Sequence, residues 1–509
     1  MGDQILISKI NETYIRIDAP KHIIQELADR FTFEVPNARF LPQVRARIWD
    51  GKIRLFQTRT QSLYTGLHTM VQAYADSEDC ECIYTDPIDK ETAFSVVEAR
   101  RMFQSLKIST MFEDARKEIK LHDHQERAII HAIQARRSLL LSPTASGKSV
   151  VIYVLARYYF GVTTEKILIL VPNVSLVDQL FSDFIDYATF DKLWNAEDHC
   201  HLISAGKSKI TNKRIVISTW QSLMRQDSTY FDQFSTVLND EVHLSTSQQI
   251  SGILARCTRA AYRHGLTGTL KECRTNELVL QGLLGPTYKT ISTKELMDDG
   301  KVAKLNIKCL QLSYCQEDRK SVKRLTYQEE IDFLVKHKHR NHFIRNLALS
   351  LTGNVLLLFQ YVERHGRVLE MMIREKNEDP NRKIFFISGD TDPIERERIR
   401  NLLDREKNCI LIASYGVYSA GVSIKSLENV IFSAPTKSKI RVLQSIGRGL
   451  RVSARKTTAT LYDIADDIRS MSKSGKVTWN NYSLQHFLER VNYYNTEEFD
   501  YKIYKISLG

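Results

Sequence analysis

The sequence predicts an α/β protein: two parallel-sheet lobes in tandem behind a small N-terminal α+β domain. Three observations predict it. From about Leu121 onward, short apolar runs alternate with longer stretches of helical period, the pattern of a parallel sheet wrapped by helices. That alternation occurs twice, with a break at "MDDGKVAK" (Met297 to Lys304). Residues 1 to about 115 do not follow it and read as a separate, smaller unit. A length of 509 residues suits about three domains, each able to bury a core.

The first series of expected strands is Leu139 to Leu141, "KILILVP" (Lys166 to Pro172), "RIVIST" (Arg214 to Thr219), "TVLND" (Thr236 to Asp240) and "HGLTGT" (His264 to Thr269). The second is "NIKCLQLSY" (Asn306 to Tyr314), "VLLLFQ" (Val355 to Gln360), "KIFFIS" (Lys383 to Ser388), "CILIAS" (Cys409 to Ser414), "NVIFSA" (Asn429 to Ala434) and "ATLYDIA" (Ala459 to Ala465). The chain ends in a helix and then a short strand or extension. The expected domains are 1–115, 119–300, 304–480 and a C-terminal extension, 481–509.

Lys and Arg number 72 against 60 Asp and Glu, a net charge of +12, which suits an anionic polymer as partner but decides little alone. The eight cysteines, Cys80, Cys82, Cys200, Cys257, Cys273, Cys309, Cys315 and Cys409, have no C-x-x-C spacing and no clustered histidines, so they are expected to be reduced thiols in a cytoplasmic protein. The N-terminus lacks a signal-peptide core and no stretch reaches membrane-spanning length.

In the N-terminal unit, "VRARIWDGKIRLF" (Val44 to Phe56) reads as a β-hairpin turning at Asp50-Gly51. That register puts Val44, Ala46, Ile48, Ile53 and Leu55 on a core face. Arg45, Arg47, Trp49, Lys52, Arg54 and Phe56 share the other, with Arg47 directly across from Arg54. A cationic and aromatic face suits a phosphate backbone with stacking bases, and equally a solvated face whose long stems cover the aromatics.

"SPTASGKS" (Ser142 to Ser149) follows an apolar strand and precedes a helix-periodic run (Val150, Val151, Val154, Leu155, Tyr158), the context of a phosphate-binding loop. The backbone of Thr144, Ala145, Ser146 and Gly147 is expected to cradle phosphates, Lys148 to reach the same oxygens and the Ser149 hydroxyl to hold Mg²⁺. Ser142 stands where the usual pattern has its first Gly, and Ala145 where a further Gly is common. About ninety residues on, "VLNDEVH" places Asp240 and Glu241 at the carboxyl end of an apolar strand. An ATPase needs both: Asp240 for the metal and Glu241 as the base that activates water.

"DEVH" after "SPTASGKS" resembles a superfamily 2 helicase of the DExH kind, and the other motifs of that family follow in order. "LHDHQ" resembles the adenine-reading segment, with Gln125 at its glutamine. "VPNVSLVDQL" (Val171 to Leu180) and "STWQSL" (Ser218 to Leu223, with Thr219) resemble the strand-contacting motifs of the first lobe. "LTGT" (Leu266 to Thr269, with Thr267) resembles the motif that couples hydrolysis to strand contacts. In the second lobe "LLLFQYVERHG" (Leu356 to Gly366) and "SYGVYSAGVSIKSLENVI" (Ser414 to Ile431) resemble further strand-contacting segments, and "QSIGRGLR" (Gln444 to Arg451) the arginine-finger motif.

The resemblance covers residues of about 119 to 466 and implies two RecA-like lobes using ATP and Mg²⁺. Gln444, Arg448 and Arg451 would act across the cleft, His243 would bridge the lobes, and Thr219, Thr267, Thr269 and Ser414 would touch the strand. Ser423 departs from the Asp that the family often carries there, so the ribose contact of such an Asp is not expected in the same form. In length and in wording such as "AGVSIKSLENVIF" the chain resembles bacteriophage recombination and repair helicases. That implies a monomer acting in the host cell cytoplasm on branched or partly duplex DNA (Holliday junctions, forks, R-loops), with RNA–DNA hybrid as a further partner. Two alternatives stay open: a duplex translocase without processive unwinding, and a strand-annealing or structure-binding protein whose ATPase is regulatory.

Overall fold

The computed structural model describes residues 3–35, 38–88, 91–112, 115–204, 206–242, 247–268, 274–323, 325–419, 426–434, 458–471 and 477–508. The expectations for His243, Thr269, Ser423, Gln444, Arg448 and Arg451 lie outside these residues. The chain divides into two compact units, Met1–Ser142 with Ser146–Ile291, and Pro143–Ala145 with Ser292–Gly509.

The first unit opens with a four-stranded sheet in the order Ser62–Tyr64, Tyr14–Asp18, Gln4–Lys9, Glu81–Tyr84, antiparallel except for the last pair. Alternation along Gln4–Lys9 sends Ile5 and Ile7 inward, where helices Lys21–Arg30 and His68–Ser77 add Ile23, Leu27, Val71 and Tyr74 to the same core. This small domain is closely joined to the larger sheet of its unit. Glu12 meets the buried Arg137 at 2.6 Å, and the buried Arg263 donates to the Thr13 hydroxyl at 2.7 Å. A side chain at Gly66 would stand 2.1 Å from the Gln281 carbonyl, so backbone approaches backbone.

The expected hairpin at Val44 to Phe56 is corrected. Pro42–Arg45 is one helical turn with Pro at its first position, Arg47 turns left-handed at φ 56°, and the short strand Lys52–Arg54 pairs with Thr32–Glu34. A proline at a helix start outweighed the Asp-Gly turn signal. Arg47 therefore does not face Arg54. Asp50 instead accepts from Arg54 at 2.5 Å, and the Trp49 ring N–H donates to the Lys52 carbonyl at 2.9 Å. The expected faces change too, since Ile48 is 80% exposed and Phe56 only 3%.

Both larger sheets are all parallel and seven-stranded. In chain order the first has Arg137–Leu141, Lys166–Val171, Cys200–Ile203, Ile215–Thr219, Phe234–Asn239, Tyr262–Thr267 and Thr287–Lys289. The second has Lys304–Ser313, Val355–Phe359, Ile384–Ile387, Ile410–Ser414, Asn429–Phe432, Thr458–Asp467 and Tyr501–Ser507. Numbered that way, each sheet runs 3-4-2-5-6-1-7 across. The two sheets are repeats of one RecA-like topology, and the last strand of the chain is the seventh of its sheet. The expected strands recur within a residue or two, while Cys200–Ile203 and Thr287–Lys289 were not foreseen.

Candidate nucleotide site

The first strand, buried through Leu140, delivers the loop to the carboxyl edge of its sheet, where parallel α/β proteins bind ligands. The loop is tied down at both ends. The Ser142 N–H donates to the Thr267 carbonyl at 2.8 Å, and the Ser142 and Ser146 hydroxyls meet at 2.6 Å. Gly147 caps helix Lys148–Val162 at φ 83°, and an added Cβ would lie 2.3 Å from the Gln125 amide nitrogen. Only glycine fits there. Ala145 sits at φ 69°, a left-handed conformation that explains why glycine is common at this place.

Gln125 stands beside the loop. Its side-chain oxygen accepts from the His122 N–H at 2.9 Å and its amide donates to the Ser146 carbonyl at 2.9 Å; His124 reaches the same carbonyl at 3.0 Å. Lys148 extends its ammonium to the Ser142 carbonyl at 3.3 Å and to the Glu241 carboxylate at 3.2 Å. Asp240 continues the fifth strand by donating its N–H to the Leu170 carbonyl, and Glu241 turns away at φ 46°, its N–H on the Asp240 carboxylate at 2.9 Å. Such a backbone conformation is costly for a non-glycine residue and recurs at functional sites.

Burial, and then the neighbouring Glu241, push the Asp240 carboxyl well above the usual carboxylate range, while Lys148 pulls it down. Two carboxylates share one lysine, so the site is short of positive charge. That fits a divalent cation. Among the described residues no cluster of three or more His, Cys, Asp or Glu could hold such an ion. The Ser149 hydroxyl, at the start of the loop helix, meets the Tyr187 hydroxyl at 2.8 Å.

The structure thus gathers Gln125, the loop from Ser142 to Ser149, Asp240 and Glu241. The expected strand contacts fare differently. Thr219 is buried and caps helix Trp220–Leu223 by accepting from the Ser222 N–H, and Thr267 is fully buried beneath the loop, so neither offers its hydroxyl to a strand at the surface. Ser414 is half-buried at the end of its strand. His124 and Tyr187 were missed, because a contact between residues 38 apart, as for Ser149 and Tyr187, leaves no local signal.

Three family models match this chain: DNA helicase UvsW, N-terminal, over residues 6–86; Type III restriction enzyme, res subunit, over 118–272; and Helicase conserved C-terminal domain over 338–453. The ATP-dependent DNA helicase uvsW of Enterobacteria phage T4 is 33% identical across 97% of this chain and 98% of its own length. The chain belongs to the UvsW helicase family. The crystal structure of T4 UvsW covers 99% of this chain and all of that one with a TM-score of 0.52 at 31% identity. The DNA 3'-5' translocase XPB2 of Sulfurisphaera tokodaii is 26% identical over 65% of this chain and 79% of its own. The UvsW match at residues 6–86 falls on the small first sheet, and the other two matches fall on the two repeats.

Proposed function

We propose that this UvsW-family helicase uses ATP with Mg²⁺ to remodel branched or partly duplex DNA, including Holliday junctions, forks and R-loops with their RNA–DNA hybrid. Lys148 and the loop amides neutralise charge developing on the phosphates, Ser149 and Asp240 hold Mg²⁺, and Glu241 orients water. Mg²⁺, if held there, would supply stabilisation of the charge that develops on the phosphates. Arg448 and Arg451 stabilise the transition-state charge, Gln444 and His243 act beside them, and Gln125 reads adenine. The observation that carries the reading is the shared lysine between two crowded carboxylates at the mouth of the loop.

In the small domain, Arg45 and Arg47 are exposed, and the run from Val35 to Trp49 contains no Asp or Glu. Together with Trp49 in the same stretch, and with Lys52 and Arg54 although these pair with Glu34 and Asp50, this basic run supports that domain as a contact for the phosphate backbone. Membership of a family that includes a phage protein supports action in the host cytoplasm; among the described residues no helix is long and apolar enough to cross a membrane.

ATPase rates measured in parallel with single-stranded DNA, duplex, forks, four-way junctions, RNA–DNA hybrid and RNA test the substrate. Forks and junctions should stimulate most; equal stimulation by plain duplex would overturn the preference for branches. Labelled-strand displacement run beside triplex displacement tests the motor, and triplex displacement alone would make the chain a translocase.

A further inference from the structure

Helix Val174–Ala188 packs against the helix that starts at the phosphate-binding loop. Tyr153 of the loop helix lies edge-on to Phe184 at 5.1 Å and tilted against Tyr187 at 5.5 Å between ring centroids. Those apolar contacts fix where Tyr187 can point, and its hydroxyl meets Ser149 at 2.8 Å. One turn earlier on the same helix face, Asp183 is close enough to Asp240 to disfavour its ionised form. Ser149, one of the residues that would hold Mg²⁺, therefore has a polar neighbour on this helix. Its N-cap, Asn173, accepts from the Leu176 N–H within "VPNVSLVDQL", a segment expected to contact the strand.

A serine that gives a lone pair to a cation must still place its proton on an acceptor. The Tyr187 oxygen is at hydrogen-bond distance for that task. We propose that Tyr187 is a positioning residue for Ser149: its phenol oxygen accepts the serine O–H hydrogen bond, so that the serine lone pair faces the cation. This rests on the reading of Ser149 and Asp240 as the Mg²⁺ residues.

The test is binding of a fluorescent ATP analogue titrated against Mg²⁺, with a second titration in EDTA, so that no turnover is read. Tyr187→Phe keeps the ring and removes only the oxygen. It should raise the Mg²⁺ concentration for half-maximal binding about tenfold, the lower end for loss of such a partner, and leave EDTA binding and melting temperature unchanged. Ser149→Ala is the reference. If Ser149→Ala raises the Mg²⁺ requirement and Tyr187→Phe does not, the proposal is overturned while the metal assignment stands. If neither raises it, the metal assignment fails and takes the proposal with it. Equal weakening of binding with and without Mg²⁺, or a lowered melting temperature at normal Mg²⁺ dependence, would assign Tyr187 to packing alone and also overturn it.

Discussion

The two RecA-like repeats place their strands in one order and use the same strand ends for opposite ends. In the first repeat the ends of strands one and five carry the loop and the Asp240-Glu241 pair, and there Lys148 meets Glu241 at 3.2 Å. In the second, Tyr314 follows strand one and donates to Asp466 at 2.7 Å, while Arg340 donates twice to Asp466, at 2.8 and 3.1 Å, and to the Ser433 carbonyl after strand five at 2.7 Å. Arg340, Asp466 and Ser433 are all fully buried. One repeat gathers its charges beside a phosphate-binding loop; the other closes them on each other in the interior. Topology brings strand ends together, and the residues there decide whether a site exists.

The comparison breaks first at Glu241. Glu241→Gln should keep ATP and DNA binding but slow turnover by about 10²- to 10⁴-fold, because the water loses its base while phosphate contacts persist. Steady-state hydrolysis beside nucleotide binding checks this, and normal hydrolysis would sink the assignment. The matching change in the second repeat should act on folding. Asp466→Asn strands Arg340 in the interior, at a cost of about 3–5 kcal/mol. Denaturant unfolding reads that loss, and nucleotide affinity should be unaltered in whatever fraction stays folded. A weaker ATP site in a fully stable variant would show that the second repeat's closed pair serves the nucleotide after all.

Much of this architecture was legible. Apolar runs such as "KILILVP" and "VLLLFQ" report strands buried on both faces, and loop, carboxylates and their order report the site. What escaped has physical reasons. Cys200–Ile203 and Thr287–Lys289 are four- and three-residue edge strands, too short and too polar to declare themselves. The segment Val44 to Phe56 alternates like a hairpin, yet Pro42 starts a helical turn and Phe56 is claimed by the core. The Arg340–Asp466 pair spans 126 residues, and no local pattern foretells a contact that distant.

Two buried histidines sharpen the comparison. His264 of the first repeat meets the Ser138 hydroxyl at 2.9 Å and the Tyr159 hydroxyl at 2.7 Å. His365 of the second, on the π-helical turn Val362–Gly366, has no hydrogen-bond partner on either ring nitrogen among the described residues. Burial pushes both down from 6.5 to about 3. The unfolded chain therefore binds protons that the native state refuses, and stability falls as pH drops from about 6.5 towards 3. His264→Leu should cost about 2–4 kcal/mol at neutral pH, since two hydroxyls lose a partner. His365→Leu should be neutral or slightly stabilising, and each change should remove about one proton from the acid slope. Unfolding curves at several pH values check both; equal costs at neutral pH would mean that the hydrogen bonds of His264 contribute nothing.

The smallest expected effect lies in the loop itself. Ala145 holds φ 69°, where a left-handed alanine costs roughly 1–2 kcal/mol. Ala145→Gly removes that strain but adds freedom to the unfolded chain, worth about 0.4–1 kcal/mol in the opposite direction. The balance should be a gain in stability of about 1 kcal/mol or less, with ATP binding intact. Ala145→Val should move the other way and by more, because a β-branched residue tolerates positive φ poorly. Thermal unfolding of the two variants tests the pair. Should glycine destabilise the protein while valine leaves it unchanged, the loop does not carry the left-handed turn at Ala145, and the likeness to the glycine of other phosphate-binding loops would have to rest on sequence position alone.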